Sequence, residues 1–387
     1  MSATEPAPEA WSPSPNANRV LQFFQVLLLT LGVGAMLVGC AAVAAVWIPR
    51  SLEFLAVCLL PVMLLATLAV HEYGHLHAAR SMGMTVYMMK IGPLQMLARR
   101  RGWRLRWQRG WPGYAGYVMA LINPYAALRP QYAVLSAGGP AANLLVALLM
   151  GALGLHLGVQ ARVGAFCVGF AVLNLAVGLA NLIPSRTAIG PSDGLYLLGL
   201  SRRLDADRPD RVLAQLNGLS CRGITADNLP AERVALLAQD DWWLFHSWFV
   251  LKAAQNRCQW RQAAALEAAV ADQIAALPEQ SGAHFSQLIA MLQCELSFSR
   301  AMAAEASAAS LDATLTPELD WLMPCLRMRC RALMAVQRGD DESALRLLRQ
   351  AQECAQGELD PSLRISEGIL LEAVRQRIRN DPSRSAA

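Results

Sequence analysis

Carboxylates are nearly missing from the first half of this chain. Between Arg19 and Leu200 the acidic residues are Glu53, Glu72 and Asp193 alone. Only 16% of all residues are charged, against about a quarter in an ordinary soluble domain. A water-exposed fold is therefore excluded for that half, because it has too little polar surface to clothe itself. Histidine is scarce as well, at six residues. The nine cysteines include no CxxC pair. An odd number without framework spacing excludes a disulfide scaffold and predicts reduced thiols. The opening stretch, "MSATEPAPEAWSPSPNANR", lacks the apolar core of a secretory leader. Rich in Pro, Ser and Ala, residues 1–19 read as a disordered tail.

What the first half does have is long apolar runs. Four are long enough to cross a bilayer, which needs about 20 residues: Val20 to Ile48, Leu52 to Ala79, Gln131 to Gly158, and Val163 to Ile183. Turns around Arg50 and Arg162 join the first pair and the last pair. The connection between the second and third runs is longer and contains "RRRGWRLRWQR" (99–109), where much of the net charge of +5 resides. Arginine interleaved with tryptophan can mark a nucleic-acid surface. Between membrane runs it is better read as the cytoplasmic charge bias of a topology signal, in contact with anionic lipid. This reading excludes nucleic acid as a partner, puts both termini in the cytoplasm, and predicts a multi-pass protein of the inner (plasma) membrane. The second and fourth runs then cross in the same direction and end at one face.

Within the long connection, Thr85–Ile91, Trp103–Trp107 and Tyr114–Leu121 read as short strands separated by Gly and Pro turns. They predict a small sheet lying on the membrane face. Beyond Leu200 the composition changes. Acids become frequent and the pattern becomes helical and alanine-rich. Three stretches resemble one another: "CQWRQAAALEAA" (258–269), "LSFSRAMAAEAS" (296–307) and "RGDDESALRLLRQA" (338–351). The last resembles the turn and second helix of a tetratricopeptide repeat. Their spacing of roughly 40 residues is looser than that repeat's 34 or so, so a plain helical bundle stands beside it as an alternative. The predicted organisation is a disordered tail (1–19), a membrane-embedded domain (20–203) and a cytoplasmic α-helical domain (204–387). The fold class is all-α and polytopic, with a small sheet.

The second apolar run ends in "LAVHEYGHLHAAR" (68–80). Ionisable groups in a membrane segment cost several kcal/mol and mark function. On a helix, His71 and His75 lie one turn apart on one face, both able to bind zinc. Glu72 beside them can accept a proton from water that the metal activates. A catalytic zinc takes three protein ligands, and elimination narrows the third. Glu53 would lie roughly 27 Å away along a helix rising about 1.5 Å per residue. His77 falls on nearly the opposite face, and His156 belongs at the far end of its span. Asp193, just past the fourth run, ends at the same face as His75. Its alternative role is a helix cap.

"HEYGH" in one span, "SAGGPAANLL" (136–145) in a later one, and "NLIPSRTAIGPSDG" (181–194) resemble, in that order, the motifs of the site-2 protease family of intramembrane zinc metalloproteases. The resemblance covers about residues 50–200. It implies one zinc per chain on His71, His75 and Asp193, with Glu72 as general base. It also implies that Asn181, in the Asn-x-x-Pro element completed by Pro184, assists at the scissile carbonyl. "PGYAGYV" (112–118) is similar to the family's membrane-associated strand, which implies that Gly116, Tyr117 and Val118 hold an extended substrate. Many members have a shorter connection before the Asp-Gly element, the extra length here lying within "SRTAIG". No PDZ-like or CBS-like regulatory module is recognisable.

The expected activity is hydrolysis of a membrane-anchored protein or peptide near its cytoplasmic end. The helical tail is expected to select substrate or bind a cytosolic partner. Two other readings remain: a non-proteolytic membrane scaffold whose tail recruits a partner, and a zinc transporter. The transporter would need further ligands along a path through the bundle, and the sequence has none.

Overall fold

The computed structural model describes residues 13–47, 58–108, 115–187, 190–200, 205–239, 242–278, 282, 285–305 and 309–380. The described part separates into two units. One consists of residues up to 98 together with 103–205, the other of 99–102 together with 206–387.

In the first unit four helices are long and apolar enough to cross a membrane: α1 (Pro15–Trp47), α2 (Leu59–Ser81), α3 (Leu128–Leu157) and α4 (Arg162–Leu182). Residues 15–19 belong to α1 and not to a disordered tail; residues 1–12 of that expected tail lie outside the described residues. The cause is local. Pro15 has the fixed φ that suits a first helical turn, and Ser14 accepts a hydrogen bond from the Ala17 amide at 3.3 Å. The expected turn at Arg50 also lies outside the described residues.

The helices pack in the order α2, α3, α4, α1, each antiparallel to its neighbour. Small residues allow the close approaches: Gly74 of α2 lies against Gly138 of α3, and Gly32 and Gly39 of α1 lie against α4. Without a hydrophobic drive between helices in lipid, such close packing is what holds them. Met36, Cys40, Ala44 and Leu173 form the buried α1–α4 seam.

Between α2 and α3 lies a four-stranded antiparallel sheet of β1 (Thr85–Ile91), β2 (Leu94–Ala98), β3 (Trp103–Trp107) and β4 (Gly116–Leu121), in the order β3-β2-β1-β4. The expected strands at 85–91 and 103–107 are found at those bounds. The third starts at Gly116 rather than Tyr114, and residue 114 lies outside the described residues. Strand β2, "LQMLA", was not anticipated. Its residues carry no β-branching, and it is held extended by pairing on both sides, Met89↔Met96 with β1 and Met96↔Leu105 with β3. After α4 comes a hairpin of β5 (Arg186–Thr187) and β6 (Gly190–Pro191), then the short helix α5 (Asp193–Gly199).

The second unit is helical. The stretch 338–351 begins in a turn with Gly339 at φ 76 and enters the helix Asp341–Gln356, which packs antiparallel on Pro324–Gln337. Asp340 caps it, accepting from the Ser343 amide at 3.0 Å. The stretch 258–269 likewise follows a turn, at Cys258, and opens helices at Trp260 and Leu266. By contrast, 296–307 covers the last turns of the helix Ser286–Met302. The helical-hairpin resemblance is therefore carried by the last of the three stretches.

The core of this unit contains a buried ion cluster. Glu295, 0% exposed, accepts from Arg329 at 2.7 Å and Lys252 at 3.1 Å. Arg329, also 0% exposed, reaches Glu367 at 3.1 Å. Burial pushes the Glu295 carboxyl up, but the two cations outweigh it and hold it at about 2. The folded value lies below the unfolded one, about 4.3. Its stabilisation is therefore complete above pH ~4.3 and is lost as pH falls toward 2. Glu295→Ala would take from the buried Lys252 and Arg329 the carboxylate they share, leaving Glu367 alone beside Arg329, and should destabilise the helical unit by about 3–5 kcal/mol. Denaturant unfolding followed by tryptophan fluorescence measures this loss.

Candidate metal centre and active site

His71 and His75 sit in the last turns of α2, inside the bundle, and their side chains converge because they are four residues apart. His71 is buried, at 6% exposed. Asp193 arrives from the other side, at the first position of α5. Capping is done by its neighbour: the Ser192 hydroxyl accepts from the Leu195 amide at 3.2 Å. That leaves the Asp193 carboxylate for the histidines, and the alternative of a helix cap falls to Ser192. Asp193 Oδ2 lies 3.2 Å from His71 Nε2 and 3.5 Å from His75 Nε2, and the two nitrogens are 3.1 Å apart.

The hydrogen-bond partners set which ring nitrogen of each histidine faces the cluster. His75 Nδ1 lies 2.7 Å from the Leu135 carbonyl oxygen, which can only accept, so Nδ1 donates there and Nε2 is the nitrogen turned to the cluster. His71 Nδ1 lies 2.7 Å from Asn143 Oδ1. The Asn143 amide nitrogen donates to the Thr67 carbonyl and to Asn174 Oδ1, at 3.2 and 2.9 Å. Its oxygen is thus the acceptor from His71, whose Nε2 is likewise turned to the cluster. Two imidazole nitrogens and a carboxylate oxygen therefore converge on one point, the donor set of a metal site. Donors held about 2.1 Å from zinc at tetrahedral angles stand about 3.4 Å apart, close to the separations found. The residues fit a zinc ion, and His71, His75 and Asp193 would hold it. Among the described residues this is the one such cluster of three metal-binding side chains.

Gly139 of α3 supplies the room. A Cβ there would come within 2.4 Å of His75 Nε2 and 2.7 Å of His71 Nε2. The sequence shows only a small-residue "GGPAAN" stretch, and nothing in it singles out this glycine from Gly138, which merely packs on α2. Asn143, in the same stretch, reads from the sequence as no more than a modest functional candidate, and Asn174 went unrecognised as a partner of the site. Their signal is an amide inside an otherwise apolar span.

The cluster opens into a cavity of about 610 Å³. Glu72 lies on its wall, 3% exposed, and its Oε2 is buried without a hydrogen-bond partner. Residues 115–118 form another wall. Gly116 presses against Glu72: a Cβ there would come 2.4 Å from Glu72 Oε1. Strand β4 is an edge of the sheet, and its residues 116–118 line the same cavity as the Glu72 carboxylate. Burial raises the Tyr117 hydroxyl above its ordinary value, and this protonated hydroxyl donates to Met88 Sδ at 3.0 Å. Asn181 also lines the cavity, with one amide hydrogen donated back to the Val177 carbonyl at 3.0 Å. His77 is exposed on the far side of α2, against an open apolar groove, and His156 lies in the last turn of α3, at the opposite end of the bundle.

The extra length in "SRTAIG" is the β5–β6 hairpin, with Arg186↔Pro191 and Thr187↔Gly190 paired. Three residues on one face of α1 clasp its base. Asn18 and Gln22 each donate to the Arg186 carbonyl at 2.8 Å, and Ser185 donates to Gln25 Oε1 at 2.8 Å. Added residues therefore leave Asn181 and Asp193 on the same cavity.

Comparison with known families matches this chain to peptidase family M50 over residues 59–161. The matched segment, about a quarter of the chain, is similar to this family, which is that of the site-2 proteases, zinc metallopeptidases of membranes, and the match supports a peptidase in general. No curated protein and no solved structure matches it. The M50 segment contains the His71–His75 pair, the sheet and all of α3, whereas Asn181 and Asp193 lie beyond it and join the site through the fold.

Gly139→Ala should cut zinc affinity on the order of tenfold or more, since both histidines must move. Gly151→Ala, whose Cβ would meet Ala171 at an ordinary 3.7 Å, should leave it unchanged. Metal analysis of the purified variants makes the comparison.

Proposed function

We propose that this chain is an intramembrane zinc endopeptidase that cuts a membrane-anchored protein or peptide near the cytoplasmic face. The observation that carries the reading is the meeting of three converging metal-binding side chains with a buried Glu72 oxygen that has no partner among the described residues, on a cavity bordered by an edge strand. When bound, zinc supplies Lewis-acid polarisation of a carbonyl and acidification of water. Glu72 accepts the proton as water oxygen bonds to the scissile carbonyl carbon. It returns that proton to the amide nitrogen as the C–N bond breaks. The second amide hydrogen of Asn181 is available to the carbonyl oxygen as charge develops there.

A membrane helix hides its amides in internal hydrogen bonds, so the substrate must first unwind. Residues 116–118 of the edge strand offer backbone partners to the extended chain. This favours cleavage where water is within reach, at the end of the bundle where α2 and α4 finish. The charge bias of the arginine-rich stretch 99–109 supports a cytoplasmic location for that end, with both termini on the same side of the inner membrane. The helical unit after residue 205 selects substrate or binds a cytosolic partner. A scaffold without proteolysis would give no reason to bury an unpartnered glutamate beside three converging donors.

Purified protein should hold about one zinc per chain. Glu72→Gln should keep the metal and lower peptide cleavage by at least about a hundredfold, because it removes the base and no ligand. Asp193→Ala should lose zinc, while His77→Ala should retain it. Full proteolysis by Glu72→Gln, or equal zinc loss in Asp193→Ala and His77→Ala, would overturn the assignment.

A further inference from the structure

We infer that Asn174 of α4 is a positioning residue for the metal site, selecting the tautomer of His71 through Asn143. This rests on the zinc reading above. Asn143 and Asn174 are both 0% exposed, and Thr67 beside them is 1% exposed. Amides are costly to bury in an apolar helix bundle unless every hydrogen bond is made. Here they are made in one order. The Phe170 carbonyl accepts from Asn174 Nδ2 at 2.9 Å. Asn174 Oδ1 accepts from Asn143 Nδ2 at 2.9 Å, and Asn143 Oδ1 accepts from His71 Nδ1 at 2.7 Å.

No member of this relay can be reversed alone. Turning over Asn174 would set its oxygen against the Phe170 carbonyl and its NH₂ against that of Asn143. Turning over Asn143 would set its oxygen against both the Thr67 carbonyl and Asn174 Oδ1. A backbone carbonyl of α4, which can only accept, thus dictates that His71 carries its hydrogen on Nδ1 and offers Nε2 to the metal. His75 needs no relay, since the Leu135 carbonyl fixes it directly. With leucine at position 174, only the Thr67 carbonyl still orients Asn143. The reversed Asn143 amide then points a hydrogen at His71 Nδ1, moving the ring hydrogen to Nε2, where it blocks the donor.

The test uses full-length protein in detergent with ¹⁵N-labelled histidine, stripped of metal by a chelator. Imidazole ¹⁵N shifts then report which nitrogen of His71 and of His75 carries the hydrogen. Zinc affinity is read separately by competition with a chromogenic chelator. In wild type both rings should be protonated at Nδ1. Asn174→Leu should give mixed tautomers at His71 alone and weaken zinc binding about tenfold or more. Asn174→Asp, neutral when buried, keeps an acceptor for Asn143 and a donor for Phe170. It should restore the His71 tautomer and zinc affinity to within about threefold of wild type.

Unchanged His71 shifts and zinc affinity in Asn174→Leu would overturn the proposal. So would equal disturbance of His75, which would mark general loosening of the bundle. If Asn174→Leu fails to fold, Asn174→Ala is read by the same two criteria. Absence of zinc from wild type would defeat the zinc reading, while the tautomer comparison, made without metal, would still decide the role of Asn174.

Discussion

Three metal-binding side chains, with donor atoms held 3.1 to 3.5 Å apart inside an apolar bundle, are the constraint on which the rest of the membrane unit depends. Two elements hold them in place, the helical spacing of α2 placing two and the start of α5 the third. The outer hydrogen bonds to Leu135 and Asn143 fix which ring atom points inward. Close packing of α2 on α3 follows from the same requirement, because Gly139 must leave the space between the two imidazoles open. The clasp from α1 onto Arg186 and Ser185 sets the segment that delivers Asp193. A bundle that looks like generic small-residue packing is arranged about one point.

Much of this was legible in the sequence, for physical reasons. Apolar runs have to be long to cross a bilayer, and the four helices fall close to the expected spans. His71, Glu72 and His75 stood out because ionisable groups in such a run are expensive. Asp193 stood out because the membrane half has so few carboxylates that elimination leads to it. Strands β1 and β3 were visible in their β-branched and aromatic residues. Strand β2 was not, since "LQMLA" has the composition of a helix and becomes a strand only through its neighbours. The start of α1 was misjudged because the polar, proline-containing opening hides a Ser14 cap followed by a proline suited to a first turn.

Gly139, Asn143 and Asn174 illustrate what periodicity cannot carry. Each lies on a helix face whose meaning depends on which helix packs against it, and that pairing is tertiary information. The insertion in "SRTAIG" was readable as extra length, but not as a hairpin anchored by amides seven residues apart on α1. In the helical unit the Glu295–Arg329 pair was equally hidden. Its partners lie far apart in sequence, on helices that look amphipathic like any others. Both units thus bury polar groups at a cost that is offset by partners drawn from several helices.

The most direct test of the central claim is zinc K-edge X-ray absorption on the purified full-length protein. The account predicts a low-coordinate zinc with only nitrogen and oxygen neighbours at about 2.0–2.1 Å. Two of these neighbours should show the outer-shell scattering of imidazole, and one should be a carboxylate oxygen. A sulfur neighbour, a single imidazole, or a six-oxygen shell of adventitious metal would contradict it.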